Sequence, residues 1–156
     1  MPETSADAAP REDAIRLLAR REYARAELAA RLAAKGHTPE AVAECLDALA
    51  AEGLQSDARF AESFLRARLA RGQGPVKIRL ELEQRGVERE RVRAAFHQAQ
   101  ADGTDWFALA AAALARRFSG PGDTPRERAR RERFLAGRGF DADQVRHALD
   151  HAWDSA

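Results

Sequence analysis

Gly36, Gly86 and Gly139 each close one helix-like run and open another, and the residues around them match at fixed offsets. Leu32, Leu82 and Leu135 stand four positions before, and His37, Val87 and Phe140 follow at once. Val42, Val92 and Val145 come six positions after, and Leu46, Phe96 and Leu149 ten after. Spacings of 50 and 53 residues are those of a supersecondary unit written three times. A unit this small cannot bury its apolar face alone and must stack on its neighbours. The sequence therefore predicts an all-α chain of three tandem three-helix repeats, over residues 13–53, 54–100 and 101–156, forming an elongated, curved rod. Residues 1–12, small, acidic and carrying Pro2 and Pro10, are expected to form a disordered tail.

Local signals agree with nine helices in three triplets. Apolar positions recur at three and four rather than at two, and β-branched residues are few. In the first repeat Ala14, Ile15, Leu17 and Leu18 mark one helix and Leu28 and Leu32 a second. Thr38-Pro39 then caps a third, which carries Val42, Leu46 and Leu49 to Gly53. Ser56-Asp57 opens the second repeat before Phe60, Phe64, Leu65 and Leu69; Gly72-Gln73-Gly74-Pro75 interrupts, and helices bearing Ile78 and Leu82, then Val92 and Phe96, follow. Thr104-Asp105 precedes Trp106, Phe107, Leu109, Leu114 and Phe118. Thr124 with Glu127 is a capping-box pair, and Asp141 with Gln144 repeats that logic before Val145, Leu149 and Trp153. Nine positions past each glycine stand Cys45, Ala95 and Ala148, a small-residue slot that reads the single cysteine as packing.

Charge is balanced overall but unevenly placed. Residues 1–53 carry a net −3, residues 54–100 a net +4, and residues 101–156 zero, the last concealing +5 over 116–138. Two basic stretches after an acidic unit suit an anionic or charge-patterned partner, although a solvated helix face is the plainer account of any one stretch. One cysteine makes no internal disulfide, and no apolar run approaches the ~20 residues that span a bilayer. A cytoplasmic protein without membrane contact is the expectation.

Catalytic patterns are absent from the sequence. His147 and His151 share a helical spacing, but no glutamate lies between them in the zinc-protease pattern and no cysteine cluster completes a tetrahedron. Ser56, Ser63 and Ser119 sit in no nucleophile context. No enzyme, metal or cofactor is expected. Gly72-Gln73-Gly74-Pro75 lacks the Gly-Lys-Ser/Thr of a phosphate loop, yet it opens a helix with Lys77 and Arg79 in its first turns and Arg66, Arg68 and Arg71 just before. A helix N-terminus flanked by five cations suits a nucleic-acid phosphate or a partner's carboxylate. Arg68, Arg71, Lys77 and Arg79 are expected to be exposed.

Ser56-Asp57-Ala58-Arg59-Phe60-Ala61-Glu62-Ser63-Phe64, Arg68, Gly72-Gln73-Gly74-Pro75-Val76-Lys77-Ile78-Arg79, Glu81-Leu82 and Arg85-Gly86-Val87 together resemble the central signature of the RecX family of recombinase regulators. Leu17-Leu18-Ala19-Arg20-Arg21, Glu27-Leu28 and Lys35-Gly36 resemble its first unit; Arg133-Phe134-Leu135 and Arg138-Gly139-Phe140 resemble its third. The chain departs from the pattern at Ala24, where members tend to carry a capping Ser or Thr, so the first helix break is expected to be frayed or shifted. The longer connection Phe118–Thr124 is the other departure.

The resemblance implies a monomer that binds the RecA nucleoprotein filament on single-stranded DNA, bridges its protomers and restrains strand exchange, ATP hydrolysis and LexA self-cleavage. It implies filament or DNA contact through Arg66, Arg68, Arg71, Lys77, Arg79 and Arg85 of the second repeat and Arg130, Arg131, Arg133 and Arg138 of the third. Direct binding of single- or double-stranded DNA by the helical repeats is the alternative.

Overall fold

A computed structural model describes residues 2–154, with side chains from residue 10 onward, and holds nine α-helices and no strand among the described residues. They are α1 (Pro2–Leu18), α2 (Arg25–Ala34), α3 (Pro39–Ala51), α4 (Asp57–Ala70), α5 (Pro75–Gln84), α6 (Arg89–Ala101), α7 (Trp106–Arg117), α8 (Pro125–Arg138) and α9 (Ala142–His151). The chain divides into two compact units, one of Met1–Ser63 with Leu82–Ala95, the other of Phe64–Glu81 with Phe96–Ala156. The helices of the second sequence repeat are thus shared out between them.

In the first unit, α1, α2 and α3 pack on one another around Ala14, Tyr23, Leu28, Leu32, Val42, Leu46 and Leu49, all buried. The repeat's marker Leu32 is fully enclosed, and His37, at the place held by Val87 and Phe140 elsewhere, is half-buried with its Nε2 2.9 Å from Asp13 Oδ2. Within the span 1–12, α1 begins at Pro2. Pro10 is enclosed, and Arg11 forks onto both carboxylate oxygens of Glu52 at 2.9 and 2.6 Å, which ties the end of that span to α3. Met1 and the side chains of residues 2–9 lie outside the described residues.

The break before α2 falls at Ala24 without fraying. Ala24 is extended (φ −69°, ψ 149°) and has no side-chain acceptor, but Glu27 accepts from its backbone N–H at 3.0 Å. The missing cap is supplied from 32 residues away: Asp57 Oδ1 accepts from the Arg25 N–H at 2.8 Å. Gln55, 4% exposed, donates to the same Asp57 oxygen at 2.9 Å and to the Tyr23 carbonyl at 3.2 Å. A helix needs its first N–H groups satisfied, and it makes no energetic difference which residue provides the oxygen. At the α5–α6 corner Gly86 (φ +86°) lies against α2: a Cβ there would come within 2.6 Å of the Ala26 Cβ, so only glycine allows both the turn and the approach.

In the second unit the core is Ala110, Ala113, Leu114, Leu135, Phe140, Val145, Ala148 and Leu149, with α7 packed most extensively on α9. Capping follows the sequence. Asp105 accepts from the Phe107 and Ala108 N–H groups, and Thr124 with Glu127 and Asp141 with Gln144 form reciprocal boxes. The long connection after α7 is pinned rather than loose. Trp153 Nε1 donates to the Phe118 carbonyl at 3.1 Å, and Arg131 Nε donates to the Gly120 carbonyl at 2.8 Å with its guanidinium 4.4 Å from the Phe118 ring centre.

Candidate functional site

Sequence leaves the first turn of α5 open to an anion. The structure engages two of its donors. Gly74 N–H donates to the Arg138 carbonyl at 2.7 Å and Val76 N–H to the Gly139 carbonyl at 2.9 Å, while Pro75 between them has no N–H. The carbonyl end of α8 thus satisfies two N–H groups at the amide end of α5, and the opposite partial charges of the two helix ends complement each other. Gly139 caps α8 in the left-handed region (φ +98°, ψ 17°), and a Cβ on it would collide with the Lys77 Cβ. A Cβ on Gly74 would likewise collide with the Gly139 backbone. Two of the donors at the helix end expected to hold a phosphate or a carboxylate are thus spent on the fold.

The ten cationic candidates separate in the same way. Arg68 is not the exposed residue the sequence leads one to expect. Its side chain is 20% exposed, lies 3.2 Å from Glu81 and crosses the Phe64 ring at 4.5 Å. Arg85 pairs with Glu27. Arg131 pins the connection before α8, and Arg138 donates to the Arg71 carbonyl at 3.2 Å while lying over Phe134 at 5.1 Å. These four hold the fold together, whatever else they do. Arg79 is exposed but rests on the Phe96 ring at 4.6 Å. Arg66, Arg71, Lys77, Arg130 and Arg133 are exposed, and no carboxylate pairs with their side chains among the described residues. The α4–α5 turn and the end of α8 bring Arg71, Lys77 and Arg138 into one neighbourhood.

Sequence reasoning missed Arg126. It lies four residues before Arg130 and seven before Arg133 on α8, so the three share one helical face, opposite the enclosed Leu135. All three are exposed without a carboxylate partner among the described residues. The i, i+4, i+7 spacing was the available signal. The nearest acidic residue in that first turn, Glu127, is engaged elsewhere. Its carboxylate accepts from the Asp123 and Thr124 N–H groups at 2.7 and 3.0 Å, which hold it below the usual carboxylate range.

No group of three or more His, Cys, Asp or Glu suited to a metal occurs among the described residues. His147 and His151 stack at 4.7 Å, and His151 bonds Asp154 at 2.7 Å. Cys45 lines a hollow of about 530 Å3 with Pro10, Arg11, Ala41, Glu44 and Ala48; burial pushes its thiol up, away from the nucleophilic thiolate. No described helix is long and apolar enough to cross a membrane.

Comparison with known proteins finds three consecutive matches to family models. Residues 11–49 match the RecX first three-helix domain, 56–95 the second and 104–149 the third. The regulatory protein RecX of Chromohalobacter salexigens is 62% identical over 149 residues, covering 96% of each chain. That of Halorhodospira halophila is 50% identical over 146 residues, covering 92% of this chain and 88% of the relative. The crystal structure of RecX from Lactobacillus salivarius superposes with a TM-score of 0.78 at 20% identity, covering 98% and 99% of the two chains.

Proposed function

The chain belongs to the RecX family, and on that premise we propose that it binds the RecA filament on single-stranded DNA and restrains recombination without catalysis of its own. Inhibition of ATP hydrolysis, strand exchange and LexA self-cleavage follows from restraining the filament. The relatives are named regulatory proteins, which supports a regulatory role here. The observation that carries the cationic contact is the α8 face of Arg126, Arg130 and Arg133, joined by Arg66, Arg71 and Lys77, exposed cations of the second repeat. An unpaired guanidinium on a helix face has lost no solvation to an internal partner and stays available to an external anion. Repeated contacts gain affinity through effective concentration only when the partner is itself repetitive, which is how a polymer is preferred over its free monomer.

The same face would accept DNA phosphates, so direct DNA binding is the second reading. Purified chain added to RecA already assembled on single-stranded DNA separates the two. Inhibition of ATP hydrolysis at protein levels far below those that coat the DNA is expected. Inhibition that appears only as DNA sites saturate would move the assignment to simple competition for the strand.

A further inference from the structure

The internal repeat distinguishes what packing demands from what one unit carries for itself. Leu32, Leu82 and Leu135, at one repeat position, are all fully enclosed. Val76 and Leu80 on α5 are 48% and 54% exposed, two large aliphatics one turn apart on the solvent side of their helix, opposite the enclosed Ile78. Their counterparts on α2 are Ala26 and Ala30, and on α8 Ala129 and Arg133. The fold is thus built twice without apolar bulk at these positions, and packing does not explain it in the middle repeat. Lys77 and Arg79 flank the pair, both exposed, and Arg79 is steadied on the Phe96 ring.

We propose that Val76 and Leu80 anchor a protein-docking face of α5, fitting an apolar hollow rimmed by carboxylates. This rests on the reading above, in which that hollow lies on a filament protomer. Anchors one turn apart on a helix, set between cations, are how a helix seats in a groove. The cations select an acidic rim, and the aliphatics select a protein over a nucleic acid strand, whose phosphates offer no apolar hollow.

The repeats themselves supply the substitutions. Val76→Ala with Leu80→Ala gives α5 the residues of α2, and Leu80→Arg gives it the residue of α8; both keep good helix formers. Binding of each variant and of the unaltered chain is measured against RecA filaments on single-stranded DNA and against naked single-stranded DNA, with melting followed by circular dichroism. The expected result is filament affinity lowered about ten- to a hundredfold in the double alanine variant, the loss of two buried aliphatics, with affinity for naked DNA unchanged, and lowered filament affinity in Leu80→Arg despite the added cation, which strengthens binding to naked DNA. Unchanged filament affinity overturns the proposal and leaves the filament reading standing. Equal loss on naked DNA assigns the face to nucleic acid, and loss that tracks dissociation of a dimer assigns it to a second copy; either overturns the proposal. Variants that no longer melt cooperatively also overturn it, since the two side chains would then serve the fold. An unaltered chain that does not bind filaments removes both readings.

Discussion

The Gly139 carbonyl accepts from the Val76 N–H at 2.9 Å, joining the last residue of one helix cap to the first turn of a helix 63 positions earlier in the chain. Gly139 is held there by a left-handed backbone and by contact with the Lys77 side chain. Gly139→Ala therefore combines an unfavourable φ with a collision. It should cost about 2–4 kcal/mol of stability, read as a lower urea midpoint, whereas Gly137→Ala, with nothing within 4 Å of its added Cβ, should be neutral or stabilising. Equal midpoints for the two variants would contradict the docking of α8 on α5.

Asp57 replaces the hydroxyl cap that Ala24 cannot provide. Asp57→Ala should remove an acceptor from both the Arg25 N–H and the Gln55 amide and cost about 1–2 kcal/mol. Hydrogen exchange should show the loss first at the start of α2 and not only at α4. Protection of α2 unchanged in that variant would show that the long-range cap is dispensable.

The cations divide into fastened and free, and charge reversal should separate them. Arg68→Glu sets two carboxylates against each other in a half-buried place and should lower stability by about 2 kcal/mol. Arg126→Glu, Arg130→Glu and Arg133→Glu together should leave melting nearly unchanged while weakening filament binding steeply and flattening its salt dependence. A folded triple variant that inhibits RecA as well as the unaltered chain would remove the α8 face from the account.

Glu127 has a folded pKa below its unfolded one, chiefly because the Asp123 and Thr124 N–H groups favour its ionised form. In the pH range between those two values the unfolded chain binds the extra proton, so stability rises with pH there. The contribution is complete above the unfolded pKa and is lost as pH falls through the folded one. Glu127→Gln keeps an acceptor but has no proton to bind. Its urea midpoint should fall less between pH 7 and pH 3 than that of the unaltered chain; parallel profiles would place the acid sensitivity elsewhere.

Much of this protein is local and was legible before any tertiary structure. The period of the Leu–Gly–Val pattern sets which faces are apolar, and Leu32, Leu82 and Leu135 are enclosed as that pattern requires. Thr38, Asp105, Thr124 and Asp141 cap the helices they precede. These outcomes depend on groups within one turn of each other, and a helical turn spans only a few residues. Tertiary structure alone decided which arginines are spent. Arg68 meets Glu81 across the α4–α5 turn, Arg85 meets Glu27, and Arg138 meets the Arg71 carbonyl 67 positions away. Composition cannot tell a guanidinium that fastens two helices from one that faces water, because the difference lies in which carboxylate or carbonyl the packing brings within a few ångströms.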